Sequence, residues 1–125
     1  MKISTLRNVL TGKSSVTDLK DEIKTELERY IKLSRKSGSS IPVRVQEDSD
    51  YIFDSSALIG LCNFFIRQEL DGYELSYIAD AIHLSERITY KDKRIATYIT
   101  EMTDPEINGP YTVNRAKKTI EEMSI

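Results

Sequence analysis

Apolar residues recur at helical spacing along most of this chain. Over residues 16–31 they return every third or fourth position with Lys and Glu between them, which predicts an amphipathic helix. Ser15 and Asp18 resemble a capping box at its start, and the breaker cluster 37–40 predicts an end near Lys36. The apolar positions of this helix are Val16, Leu19, Ile23, Leu27, Tyr30 and Ile31.

The same spacing predicts two helices in the middle of the chain. The first begins after a cap at Asp54 or Ser55 and is apolar nearly all round, which is typical of a central, buried helix. We expect it to end at Asp71-Gly72, because glycine suits a left-handed cap. The second is short and carries its apolar stripe over residues 75–82.

Two more helices are predicted near the end of the chain. One begins near Asp92 and stops at Asp104-Pro105, because a residue before proline avoids the α region. Asn108-Gly109-Pro110 predicts a turn, and Thr112 is expected to cap the last helix. The inward positions of this last helix are Val113, Ala116, Ile120 and Met123.

Two segments lack the helical signal. Residues 1–13 are weakly patterned and predict a loose N-terminal arm or a short helix. Residues 41–45 alternate, are rich in β-branched side chains and contain Pro42, so they predict a short extended segment. Together the elements predict an all-α fold, a compact bundle of about five helices with one short extended segment near 41–45, in a single domain over 1–125.

Composition indicates the cellular compartment in which we expect the protein. The chain has 125 residues, of which 39% are hydrophobic and 30% charged, values typical of a globular domain. Cys62 is the only cysteine, which excludes an internal disulfide and fits a reducing compartment. Neither a signal peptide nor an apolar run of about 20 residues is present, so we expect a cytoplasmic protein that does not span a membrane.

The charge is distributed unevenly along the chain. Residues 1–46 carry 10 basic and 5 acidic side chains, whereas residues 47–86 carry 1 basic and 9 acidic ones. Residues 87–125 are close to balance, with 7 basic and 6 acidic side chains. The acidic middle third is either a solvated face or a surface that attracts a basic partner.

No catalytic set or cofactor site is predicted. His83 is the only histidine and has no nucleophile motif nearby, so we do not expect an enzyme. Asp48, Asp50 and Asp54 lack the glycine and terminal glutamate of a calcium loop, and no metal site is expected. Gly12-Lys13-Ser14 lacks the earlier glycine of a phosphate-binding loop.

The segment from Leu75 to Ser85 is similar to the first half of a helix-turn-helix, with Ala79 as its small residue. His83 stands where the turn prefers glycine. A recognition helix would begin near Glu86, and the acidic helix before it opposes docking on phosphates, so DNA binding is the alternative function. The cations available to that helix are Arg87, Lys91, Lys93 and Arg94.

An acidic stretch that contains tyrosine is the candidate binding surface. Tyrosine supplies rigid contact area with a polar tip, and clustered carboxylates attract a basic protein. The competing interpretation is that Tyr73 or Tyr77 packs at a helix boundary. The candidate residues are Glu69, Asp71, Tyr73, Glu74, Tyr77 and Asp80.

The sequences ELSYIADAI over 74–82 and TDPEINGP over 103–110 resemble those of small immunity proteins from bacterial contact-dependent inhibition systems. The resemblance extends loosely over 58–122, and residues 1–57 add nothing to it. It implies that the chain binds and neutralises a cognate toxin domain, commonly a nuclease with a basic cleft. It also implies that acidic groups occupy that cleft or cover a site beside it, but it assigns no individual binding residue.

Overall fold

Six helices and two short strands make up the regular structure of residues 1–34, 43–103 and 110–124, which the computed structural model describes. The helices are α1 (Ile3–Leu10), α2 (Val16–Ser34), α3 (Ser55–Ile66), α4 (Gly72–Leu84), α5 (Lys93–Met102) and α6 (Val113–Met123). The strands are β1 (Tyr51–Phe53) and β2 (Ile88–Tyr90). The predicted all-α class is confirmed.

Helix α1 shows which of the two expectations for residues 1–13 is right. Ile3 and Leu6 are fully buried, and α1 packs against α2, α3 and β1. The backbone N–H of Ile3 donates to the carbonyl of Gln46 at 3.2 Å, beside a parallel bridge between Lys2 and Gln46. The short helix is confirmed and the loose arm is wrong, because the apolar side of this segment belongs to the core.

Helix α3 lies in the middle of the fold, as its all-round apolar character predicts. Leu58 and Leu61 are fully buried, and the helix packs against α6, α1 and α4. Asp54 caps it by accepting a hydrogen bond from the backbone N–H of Ala57 at 2.9 Å. Of the two predicted caps, the structure therefore uses Asp54.

The predicted end of this helix at Asp71-Gly72 is wrong. Helix α3 ends at Ile66, and Gln68 rather than glycine takes the left-handed backbone after it, with φ of 63°. Asp71 caps the start of α4: its carboxylate accepts from the backbone N–H of Glu74, whose carboxylate accepts from that of Asp71, both at 2.8 Å. This reciprocal cap satisfies two backbone donors, so the segment begins a helix here and does not end one.

The strands form a two-stranded parallel sheet that the sequence pattern does not predict. Tyr51 lies opposite Ile88 and Phe53 opposite Tyr90. Within the predicted extended segment, residues 43–45 form no regular strand, and a bridge follows at Gln46. Residues 41 and 42 lie outside the described part of the chain.

The last two helices begin where the sequence predicts. Asp92 accepts from the backbone N–H of Arg94 at 2.8 Å, and Thr112 accepts from that of Arg115 at 3.2 Å. The predicted stops at 37–40 and Asp104-Pro105, and most of the turn 108–110, fall outside the described residues. None of the described helices combines the length and apolar character of a membrane-spanning segment.

Candidate protein-binding site

The six predicted binding residues lie between the end of α3 and the middle of α4, in three different environments. Asp71 and Tyr73 are exposed, with 40% of the Tyr73 surface accessible to solvent. Glu74 and Tyr77 are buried, and Asp80 is half-buried. The sixth residue, Glu69, is also half-buried, and its Oε2 atom is inaccessible and has no hydrogen-bond partner. The predicted continuous surface is therefore not formed.

Tyr77 belongs to a buried polar cluster. Its side chain is fully buried, and its hydroxyl donates to the carboxylate of Glu26 and accepts from the backbone N–H of Arg44 at 3.2 Å. Its ring meets that of Tyr30 edge to face, with centroids 5.4 Å apart. Burial, together with the hydrogen bond to Glu26, raises the pKa of Tyr77. The expected exposure of Tyr77 is wrong, because α2 supplies the partner that its polar tip needs inside the protein.

Glu74 and Asp80 hold α4 against α2. In addition to its cap, Glu74 lies 3.8 Å from the ammonium of Lys20, and 7% of its surface is exposed. Asp80 accepts a hydrogen bond from the hydroxyl of Tyr30 at 2.9 Å. The prediction that Glu74 faces solvent is wrong, because the polar side of α4 packs on α2 and does not face water.

Tyr73 borders a groove of about 280 Å³ between the start of α4 and the residues that lead into α6. We call it the tyrosine groove. It is largely apolar, and Tyr111 lies across it from α4, with its ring 5.7 Å from that of Phe65 and 5.6 Å from the guanidinium of Arg115. The sequence pattern missed Tyr111, because it is remote from α4 along the chain. The residues that line the groove are Gly72, Tyr73, Ser76, Pro110 and Tyr111.

Several carboxylates of the acidic middle third are bound by neutral donors. Asp48 accepts from the hydroxyl and the backbone N–H of Ser4, the latter at 3.0 Å. Glu47 accepts from the hydroxyl of Ser85 and from the backbone N–H of Glu86 at 2.8 Å. These hydrogen bonds, first those from the serine hydroxyls, lower the pKa of both carboxyl groups. Because the donors are neutral, the negative charge remains.

Ion pairs within the protein neutralise some carboxylates of the acidic middle third. Asp50 accepts from Nε of Arg87 at 2.8 Å, and Glu74 pairs with Lys20. Asp71 and Asp54 serve as helix caps, so backbone N–H groups and not cations bind them. Arg87 also attracts Glu47, and Lys2 attracts Asp48. The negative field of the acidic third is thus reduced in the 47–50 loop and at Glu74, and it persists most at the two caps.

The side chains with nucleophilic or basic character lie in unlike surroundings. Cys62 is fully buried in α3, and burial raises the pKa of its thiol to about 11. His83 is exposed near the end of α4. Within the described ranges, no group of three or more His, Cys, Asp or Glu side chains is arranged to hold a metal ion.

We expect Cys62 to resist thiol reagents while the protein is folded. At about pH 8 a thiol with this pKa is almost entirely protonated, and the thiolate is the reactive form. Ellman's reagent should therefore react far more slowly in buffer than in denaturant. Complete reaction in denaturant is the control, and equal rates in the two conditions would contradict the buried position of Cys62.

The predicted recognition helix is wrong. Residues 88–90 form β2, and the next helix begins only at Lys93. Helices α4 and α5 are joined by residues 85–92, whereas a helix-turn-helix joins its helices by a turn of about 3–4 residues. Arg87 pairs with Asp50, and Arg94 lies 3.0 Å from Asp92. The DNA-binding alternative therefore lacks the recognition helix on which it was based.

The comparisons with known proteins add no relative to this picture. No protein-family model, no curated protein and no solved structure matches the chain. The resemblance to immunity proteins remains a prediction, and the features that bear on function are the tyrosine groove at the start of α4 and the acidic residues of the middle third.

Proposed function

We propose that this chain is an immunity-type protein that neutralises a basic bacterial toxin domain by binding it. The observation that carries the proposal is the tyrosine groove, where Tyr73 is 40% exposed and directly follows Asp71 and Gly72. Tyrosines are enriched among the residues that dominate binding energy, because a rigid ring with a polar tip fills a partner's pocket at low entropic cost. The groove in turn accepts a side chain of the partner.

The charge of the middle third supports a basic partner. Residues 47–86 carry 9 acidic and 1 basic side chains, and neutral donors hold Glu47 and Asp48 in their charged form. Such a field raises the rate of association with a cationic protein and weakens with salt. A nuclease domain with a basic cleft has the complementary charge.

Inhibition by binding alone requires an extended contact surface and does not require a catalytic side chain. A stable protein interface covers about 800 Å² of each partner. The tyrosine groove holds only a small part of that area, so the faces around it must contribute the rest. We therefore expect Tyr73 to dominate the binding energy and the carboxylates to govern the association rate.

Binding to the toxin domain encoded by the neighbouring gene tests the proposal. We expect a stoichiometric complex with a catalytically inactive form of that domain, and protection of cells that produce the active form. Replacing Tyr73 by alanine should weaken the complex at least about 30-fold, the effect of losing roughly 2 kcal/mol at a dominant contact. The matched control is Leu84→Ala, since Leu84 is a 58% exposed side chain at the other end of α4.

The possible outcomes separate the function from the site. No complex and no protection would overturn the proposed function. A complex that forms equally well with Tyr73→Ala would retain the function and remove the tyrosine groove from the interface. An association rate that does not fall with salt would contradict the role of the acidic third.

A further inference from the structure

The parallel sheet leaves one of its faces uncovered. Phe53 and Ile88 point into the core, whereas Ile52 is 62% exposed, the highest value among the exposed large hydrophobic side chains in the described part of the chain. Parallel sheets occur almost only with both faces covered, so a bare face of this kind suggests a partner. We define the outer face by its exposed residues, which are Asp50, Ile52 and Asp54 on β1 and its ends, and Arg87, Thr89 and Lys91 on β2 and its ends.

The outer face consists of an acidic row beside a basic row. The register sets Ile52 next to Thr89, and the ion pair at 2.8 Å joins Asp50 to Arg87 on one side of them. On the other side, the backbone N–H of Lys91 donates to the carbonyl of Phe53 at 3.0 Å, so the Lys91 side chain follows at the level of Asp54. Each row thus has a charge at both ends and an uncharged residue in the centre.

We propose that a second copy of this chain docks on the outer face through a two-fold axis parallel to the strands. This rotation lays β1 of one protomer on β2 of its partner, so each acidic row meets a basic row. Asp50 then faces the partner's Arg87, and Ile52 packs over the partner's Thr89. A two-fold axis across the strands would instead place acid on acid, so only the first arrangement is self-complementary.

The size of the outer face sets the strength of this contact. Five residues of two paired strands cover roughly 17 Å by 10 Å, well below the ~800 Å² per partner of a stable interface. The dimer is therefore weak, depends on concentration and is sensitive to salt at its charged rim. It uses no residue of the tyrosine groove and shares only the carboxylates of Asp50 and Asp54 with the acidic third, so its test does not require toxin binding.

A double charge exchange, Asp50→Arg with Arg87→Asp, tests the geometry. It preserves the ion pair within each chain and the complementarity between two exchanged chains. Against the wild type, like charges face each other at both positions, which disfavours the mixed dimer. We expect exchanged and wild-type chains to self-associate separately, and mixed dimers to fall at least about tenfold below the statistical fraction.

Sedimentation of the untagged chain measures the self-association. The average mass should rise from 14.3 kDa towards twice that value as the concentration approaches about 1 mM. Ile52→Lys should abolish this rise, whereas Leu84→Lys, a control at an exposed position outside the sheet, should retain it. A mass that stays at 14.3 kDa for the wild type, mixed dimers at the statistical fraction, or an unchanged rise in Ile52→Lys would each overturn the proposal.

Discussion

Replacing Tyr77 by alanine is expected to lower the free energy of unfolding by about 3–5 kcal/mol, the range for deleting a large buried aromatic ring. Tyr77 is fully buried, and its hydroxyl contacts Glu26 and the backbone of Arg44. The same substitution at Tyr73, four positions earlier on α4, should lower it by less than about 1 kcal/mol, because much of that side chain is already in water. Denaturant unfolding followed by circular dichroism measures both values.

A more conservative substitution separates the ring from the hydroxyl. Tyr77→Phe retains the packing and removes the donor to Glu26 and the acceptor for Arg44, so we expect a loss of about 1–3 kcal/mol. If Tyr73→Ala and Tyr77→Ala were equally destabilising, the division of the predicted surface into a buried and an exposed tyrosine would be incorrect.

Leu6→Ala is expected to lower the free energy of unfolding by about 2–5 kcal/mol, because it opens a cavity beneath α1. Leu6 is fully buried, and α1 contacts α2, α3 and β1. A loose arm would tolerate the change. Leu84→Ala makes the same chemical change at a 58% exposed helical position and should stay within about 0.5 kcal/mol of the wild type. Similar values for the two variants would show that α1 adds little to the core.

Local signals in the sequence predicted most of the helical framework. Asp54 and Thr112 each cap a helix as expected, and Asp92 caps the helix that was predicted to begin near it, because a side-chain acceptor and the backbone donor it serves lie within three positions of each other. The prediction at Asp71 was wrong. The glycine after it suggested the end of a helix, but Glu74 completes a reciprocal cap that begins one. Two local signals competed at this position, and the one that satisfies more backbone hydrogen-bond donors determined the structure.

The parallel sheet could not be predicted from local patterns. Each strand has three residues, too few for alternation to be recognised, and pairing joins Tyr51 to Ile88 across the whole of α3 and α4. The same limit applies to the tyrosine groove, since β2 and α5 separate Tyr111 in the sequence from the helix it faces. Contacts of this kind are decided by tertiary packing.

The predicted binding surface failed for a related reason. Spacing along α4 gives the angular position of a side chain but not which neighbouring helix covers it. Helix α2 brings Lys20, Glu26 and Tyr30 to the polar side of α4, so Glu74, Tyr77 and Asp80 find partners inside the protein. Tyr73 lies in the first turn of α4, where the tyrosine groove begins, and its side chain remains partly exposed to solvent.

The separation between Tyr73 and the buried polar cluster affects how sequences of this kind can diverge. Glu26, Tyr77 and the backbone of Arg44 share hydrogen bonds, so a change at one of these side chains alters the surroundings of the other, and the two are expected to vary together. Tyr73 has no hydrogen bond of this kind among the described contacts, whereas Tyr111 across the groove is bound through its hydroxyl to the buried Thr119 at 3.2 Å. Tyr73 itself can therefore change with a new binding partner while the helical framework beneath it stays the same.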